Sequence, residues 1–450
     1  MADSETIFAL STVPGRSAVA VLRLSGPAAG PALEALTGKG RPAPRRAALA
    51  RLADPRSETT IDHALVLWFP GPESFTGEDM AELQLHGGPA VVAAAVDALG
   101  ALDGLRPAEP GDFTRRAFHN GKLDLAEVEG LADLIAAETE AQRRQALRQM
   151  EGALSGLIQS WTGRLTACLA HLEAIIDFPD EGLPAETEAA IARDIVDLER
   201  DIAQYLDDNR RGERLRDGFR IAILGPPNVG KSSLLNAIAR REAAIVSETA
   251  GTTRDVIEVH LDLGGYPVTL LDTAGLRAAS EGPADPVEQE GIRRALERAA
   301  EADLRLVVFE QPAWPPADGQ ALALIETDSL VVVNKVDLSQ EAAPANLRGR
   351  PVLPVSAKSG AGLSTLLERL EAEVAERLNQ GAAAPSVTRA RHRLALDECR
   401  DALRRATVAE LPELAAEDLR LALRALGRIT GKVDVEDLLD VIFRDFCIGK

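Results

Sequence analysis

The chain has 450 residues, 46% of them hydrophobic and 27% charged, and a formal net charge of −20. That length predicts roughly two to four domains, and the composition is that of a soluble globular protein without an uninterrupted apolar run of about 18 residues to span a membrane. The acidic balance argues against a large non-specific nucleic-acid surface, which requires a basic stripe.

The first residues, Met1-Ala2-Asp3-Ser4-Glu5, are acidic, unlike the start of a secretory signal. Three scattered cysteines, Cys168, Cys399 and Cys447, form neither a metal-ligand spacing nor a disulfide framework. A cytoplasmic setting is therefore expected. Two local basic clusters stand out: Arg210, Arg211, Arg214, Arg216 and Arg220, then Arg389, Arg391 and Arg393. They are expected to be solvated helix and linker faces.

In chain order, residues 1–118 mix short apolar runs with Gly and Pro. Strands are predicted at Ala18–Leu24, Ala64–Phe69 and Ala81–Leu85, giving an α+β domain. Residues 119–217 change to helical spacing. Leu147, Met150, Leu154, Leu157, Trp161, Leu165, Cys168, Leu172 and Ile175 recur at three- and four-residue steps, which predicts one long helix. Ile191, Ile195, Leu198, Ile202 and Tyr205 repeat the pattern after a Pro/Gly break, so a helical bundle is expected.

Residues 218–380 alternate strands and helices, with strands at Arg220–Leu224, Val268–Leu271, Leu304–Phe309, Leu330–Val333 and Val352–Val355. That alternation predicts a mostly parallel, doubly wound sheet. After an Ala/Gly/Pro linker, residues 381–450 return to helix. An α/β domain inserted into a helical one is the expected organisation, a multidomain α/β and α chain.

Five motifs in the third region converge on one chemistry. Gly225-Pro226-Pro227-Asn228-Val229-Gly230-Lys231-Ser232, followed by Ser233, is GxxxxGKS between a strand and a helix. Its backbone N–H groups and the helix N-terminus suit phosphates, with Lys231 for the β- and γ-phosphates and Ser232 for Mg²⁺. Asp272-Thr273-Ala274-Gly275 follows the next strand, Asp272 being placed to reach Mg²⁺ through water and the Gly275 N–H to sense the γ-phosphate. Thr252-Thr253-Arg254 lies between, where one threonine, Thr253 by preference, is expected to complete the Mg²⁺ shell in the triphosphate state. Asn334-Lys335-Val336-Asp337 ends a strand, and the Asp337 carboxylate matches the N1–H and exocyclic amine of guanine. Ser356-Ala357-Lys358, after the following strand, is expected to support the guanine oxygen by backbone N–H. Together these imply GTP rather than ATP. The residue after Asp272-Thr273-Ala274-Gly275 is Leu276, which cannot orient water as the glutamine of Ras-like GTPases does.

Further motifs name a family. Pro14-Gly15-Arg16, Leu22-Arg23-Leu24-Ser25-Gly26, Ser74-Phe75-Thr76-Gly77-Glu78-Asp79 and His86-Gly87-Gly88-Pro89 occur in the first region. Phe113-Thr114-Arg115-Arg116-Ala117-Phe118, Asn120-Gly121-Lys122-Leu123-Asp124-Leu125 and the terminal Phe446-Cys447-Ile448-Gly449-Lys450 follow. With the five nucleotide motifs, the chain resembles the bacterial tRNA-modification GTPase family MnmE (TrmE) over essentially its whole length.

The resemblance implies an N-terminal folate-binding and dimerisation domain (1–118), a helical domain (119–217 plus 381–450) and an inserted Ras-like G domain (218–380). It implies a homodimer whose G domains meet in the triphosphate state around K⁺. Asn228 matches a potassium ligand, and Ser247, Thr249 and Thr252 lie in the potassium loop. Glu288 matches the water-positioning glutamate, with Glu290 its rival. Arg23, Glu82, Lys122 and Lys450 match the site for a tetrahydrofolate derivative, each with the alternative of an ordinary ion pair. Cys447 is either a nucleophile or a small packed residue. The resemblance further implies tRNA wobble-uridine modification with a flavoprotein partner, MnmG (GidA), in a heterotetramer or larger complex that holds most of the tRNA. A ribosome-assembly or regulatory GTPase is the alternative, without the usual RNA-binding appendix. A folate-sensing scaffold is a third. The chain departs from the family at Ser17-Ala18, at His119, and at Glu310-Gln311-Pro312-Ala313-Trp314-Pro315-Pro316, where a small polar turn is usual.

Overall fold

A computed structural model describes residues 5–178, 185–226, 228–241, 257–272, 302–314, 316, 322–339, 341, 345–379, 387–433, 439, 442–444, 446 and 448–449. By contact the chain divides into two compact units, Met1–Ala132 with Gln149–Ala167 and Arg420–Lys450, and Asp133–Arg148 with Cys168–Leu419.

The N-terminal segment supplies β1 (Thr6–Leu10), β2 (Ser17–Ser25), α1 (Ala29–Thr37), β3 (Ala48–Ala53), β4 (Thr60–Phe69), β5 (Met80–Gly87), α2 (Pro89–Gly100) and β6 (Leu105–Pro107). The sheet order is β3-β4-β5-β2-β1-β6, antiparallel except where β6 joins β1. Alternation puts Leu22, Leu24, Ala64, Val66, Trp68, Ala81, Leu83 and Leu85 on one face. Leu33 and Leu36 of α1 and Ala95 and Leu99 of α2 bury that face. The expected α+β domain is therefore present, its three predicted strands each longer by one to four residues at an end.

Next come α3 (Asp112–His119), α4 (Leu125–Ala136), α5 (Glu140–Met150) and α6 (Ala153–Asp177). The single helix expected through Leu147–Ile175 is instead two. Gly152 lies between them at φ +83°, a left-handed conformation that ends one helix and lets the next begin. Apolar spacing continues across the break because one residue's change of backbone conformation need not disturb which side chains are apolar.

The second unit continues with α7 (Ala185–Leu206) and α8 (Arg211–Asp217). It then builds β7 (Phe219–Leu224), α9 (Lys231–Arg241), β8 (Ile257–Leu263), β9 (Tyr266–Asp272), β10 (Leu304–Glu310), β11 (Ser329–Asn334), β12 (Asn346–Leu347), β13 (Arg350–Pro354) and α10 (Leu363–Asn379). Helix α11 (Ala390–Val408) follows, and then α12 (Pro412–Thr430), whose residues from Arg420 on belong to the first unit. The sheet order is β12-β13-β11-β10-β7-β9-β8; the five inner strands are parallel and both edge strands antiparallel. Continuous apolar runs such as Leu306-Val307-Val308-Phe309 fit strands covered on both faces. The five strands predicted here are all found, in one mostly parallel sheet.

The basic clusters are solvated only in part: Arg210 and Arg220 are exposed, but most of the others are drawn into ion pairs. Arg214 pairs with Asp303 at 2.7 Å, and Arg216 and Arg389 converge on Asp133 Oδ1 at 3.2 and 2.7 Å. Arg393 bridges Asp208 at 2.7 Å and Glu213 at 3.0 Å. Arg211 is buried. Carboxylates at matching positions draw these arginines inward, a relationship that one-dimensional charge counting does not display. Among the described residues, no helix is long and apolar enough to cross a membrane.

Candidate nucleotide and ligand sites

Parallel strands deliver their C-terminal ends to one edge of the sheet, where ligands of open α/β folds bind. β7 runs into the phosphate loop, and α9 starts at Lys231. Val229 is buried and anchors the loop in the core beneath, while Asn228 is exposed at φ +63°. Lys231 is 5% exposed; its Nζ donates to the carbonyls of Gly225 at 3.0 Å and Pro226 at 2.8 Å. Ser232 and Ser233 are exposed in the first turn of α9. Asp272 is buried at the end of β9, opposite Ile223 of β7. The hydroxyl of Ser232 and the carboxylate of Asp272 are hard oxygen donors, so the donor chemistry fits Mg²⁺.

The guanine motif ends β11. Asn334 is 2% exposed and works in both directions: Nδ2 donates to the Val229 carbonyl at 2.9 Å, and Oδ1 accepts from the Ala357 N–H at 3.0 Å. It thus ties the phosphate loop to the Ser356-Ala357-Lys358 loop. Ser356 Oγ donates to Asp337 Oδ1 at 2.6 Å and accepts from the Ser359 N–H at 3.1 Å. The exposed Asp337 carboxylate is thereby oriented. Lys335 takes φ +63°, and its Nζ donates to the Asn228 carbonyl at 2.6 Å. Lys358 is exposed beside them.

In the first unit, Arg23 and Glu82 are cross-strand partners on β2 and β5. Arg23 Nε and Nη2 both donate to Glu82 Oε1, at 3.1 and 3.0 Å. The guanidinium lies 5.7 Å from the Phe75 ring centre and 6.0 Å from that of Phe113. Lys122 Nζ donates to the Pro72 carbonyl at 3.0 Å. A half-buried ion pair walled by aromatic rings offers hydrogen bonding and stacking to a flat heteroaromatic ligand.

The profile of the MnmE helical domain family matches residues 125–447, and that of the GTP-binding protein TrmE N-terminus matches residues 6–122. The tRNA modification GTPase MnmE of Paramagnetospirillum magneticum is 57% identical over 447 residues, covering 99% of this chain and 100% of that protein. Its namesake in Parvibaculum lavamentivorans is 59% identical over 453 residues, again covering 99% and 100%. The chain belongs to the MnmE family of tRNA modification GTPases. Its kinship extends beyond bacteria. The mitochondrial 5-taurinomethyluridine-[tRNA] synthase subunit GTPB3 of Danio rerio is 49% identical over 471 residues, 99% of this chain and 93% of that protein.

For this MnmE-family chain, several residues singled out by sequence lie outside the described residues: Ser247, Thr249, Thr252, Thr253, Thr273, Ala274, Gly275, Glu288, Cys447 and Lys450. The described ones, from Asn228 to Ser233 with Asp272, Asn334, Lys335, Asp337, Ser356, Ala357 and Lys358, gather on one edge of one sheet. One neighbour stood in the sequence only at the start of a departure from the family pattern, with no role attached. Glu310 ion-pairs with Lys335, and only its place at the end of β10, level with Asn334, marked it out.

Proposed function

We propose that this GTPase is the GTP-hydrolysing component of a complex that installs a carboxymethylaminomethyl or aminomethyl group on tRNA wobble uridine. The observation that carries this reading is full-length identity above one half to proteins named tRNA modification GTPase MnmE. In this reading the chain is a homodimer of three-part protomers with the boundaries given above. It works with a flavoprotein of the MnmG type in a heterotetramer or larger assembly, which holds most of the tRNA. A tetrahydrofolate derivative is held by Arg23, Glu82, Lys122 and Lys450.

Within the G domain, Asn334, Asp337 and the Ser356-Ala357-Lys358 loop select guanine. The phosphate loop and Lys231 hold the phosphates. Ser232, Thr253 and Asp272 hold Mg²⁺, and Asn228, Ser247, Thr249 and Thr252 hold K⁺. When bound, the two cations supply positive charge at the phosphoryl group being transferred. Glu288 orients the attacking water, since Leu276 cannot.

The test is GTP hydrolysis in KCl against NaCl at equal ionic strength, with Asn228→Ala alongside. Strong potassium stimulation that the substitution abolishes supports the mechanism; equal rates in both salts overturn it. Loss of modified wobble uridine in a strain lacking the gene, restored by the gene, tests the biological role independently.

A further inference from the structure

Among the described residues, the nucleotide site contains an acidic side chain that none of the five motifs names. Glu310 is the last residue of β10 and stands opposite Asn334 in the parallel register with β11. Its Oε2 accepts from Lys335 Nζ. The same ammonium donates at 2.6 Å to the main-chain carbonyl of Asn228, 107 residues earlier in the chain. The side chains of Lys335 and Glu310 are 31% and 26% exposed, so water reaches the pair but does not surround it. Carboxylate, ammonium and carbonyl thus form a three-membered chain from β10, through the guanine motif, to the phosphate loop.

An isolated lysine would not hold that geometry. Its flexible four-carbon stem loses rotamer entropy when it is held, and the ammonium is strongly hydrated. A single neutral carbonyl is weak competition for water. A carboxylate on the other side of the ammonium adds a charge-assisted hydrogen bond and fixes the direction of the stem. Lys335 also starts from a left-handed backbone, so its position depends on side-chain contacts as well as on strand geometry.

We propose that Glu310 is a positioning residue for guanine-nucleotide binding. It pins Lys335 against Asn228, so that the base-reading end of β11 and the phosphate loop meet the ligand as one preformed surface. Asn334 makes the companion link to Val229 from the same strand end. Preforming a surface lowers the ordering cost of binding and slows release. An ordinary surface ion pair in this place would contribute little to stability and nothing to ligand affinity. The two descriptions therefore differ in what they predict for the nucleotide. The proposal rests on reading this edge of the sheet as the GTP site.

The test is equilibrium and stopped-flow binding of fluorescent mant-GDP to the full-length chain. The variants are Glu310→Gln, Glu310→Asp, Lys335→Ala, and Glu310→Gln combined with Lys335→Ala. Melting temperature confirms folding in each case. If Glu310 acts through Lys335, Glu310→Gln weakens mant-GDP about tenfold, mainly through faster release, the scale of one charge-assisted hydrogen bond. Glu310→Asp recovers most of that loss. In the Lys335→Ala background, Glu310→Gln adds nothing further, because the coupled pair is already broken. Unchanged affinity in Glu310→Gln overturns the proposal, as does an equal loss in both backgrounds. A wild-type chain that binds no mant-GDP overturns the reading of the site itself, whereas wild-type binding with a flat response to Glu310 overturns only the role of Glu310.

Discussion

Asn334 Nδ2 lies 2.9 Å from the carbonyl of Val229, so a side chain at the end of β11 closes the back of the phosphate loop. The asparagine is buried, and its Oδ1 is spent on the Ala357 N–H. One side chain consequently joins the strand end proposed to read guanine, the loop proposed to hold phosphate and the Ser356-Ala357-Lys358 loop. Asn334→Ala leaves one buried carbonyl and one N–H without partners, at about 1–3 kcal/mol each. The expected result is a G domain less stable by about 2 kcal/mol or more in urea denaturation. Mant-GDP affinity should fall at least about tenfold.

Gly230 carries the same junction from the other side. Its φ is +92°, and a Cβ built there falls 2.5 Å from Asn334 Nδ2. Gly230→Ala combines about 1–3 kcal/mol of backbone strain with a clash against a buried group. Mant-GDP binding should drop below detection while the far-ultraviolet circular dichroism stays unchanged. Near-wild-type binding would show that the loop relaxes freely.

Arg393 reaches three partners at once: Asp208, Glu213 and the carbonyl of Leu206, the last at 2.8 Å. Burial works against the guanidinium's charge, but the carboxylates of Asp208 and Glu213 hold its pKa above the ordinary value. Arg393→Ala strips Glu213, whose side chain is only 8% exposed, of one of its two arginines. A loss of about 2 kcal/mol is expected, since the site is partly screened by solvent. Arg240→Ala, on an exposed turn of α9, should stay within about 0.5 kcal/mol. Paired thermal melts decide between them.

Cys399 is fully buried in α11, and burial pushes its thiol from the ordinary 9.0 up to about 12. The folded state therefore keeps its proton where the unfolded chain loses it. The stabilising contribution is present below pH 9.0 and is lost as pH rises toward about 12. In a Cys447→Ser background, neither Cys399 nor the buried Cys168 should react with a disulfide reagent at pH 8 until denaturant is added. Rapid reaction in the native protein would contradict this.

The parallel sheet was legible because its strands are long apolar runs ending in phosphate and guanine motifs. β3 was not, since Ala-Leu-Ala-Arg-Leu-Ala has the composition of a helix and becomes a strand only by pairing with β4. The break at Gly152 escaped notice because the apolar rhythm passes over it. The inward-turned arginines of the two clusters were misread because their partners lie up to 256 residues away in sequence. Glu310 had no motif to announce it, and its importance is a matter of which two residues it stands between.

The seven-residue helix α8 has a bearing on how the molecule can be taken apart. Its Arg214 neutralises Asp303, whose carboxyl burial raises above the ordinary range and whose Oδ2 also accepts the Arg220 N–H at 2.9 Å. A fragment cut at Phe219 would retain the whole parallel sheet yet leave that carboxylate facing the severed end without its arginine. A fragment cut at Arg210 would carry its own counter-charge. A cut that spares this ion pair therefore falls a full helix upstream of the first strand.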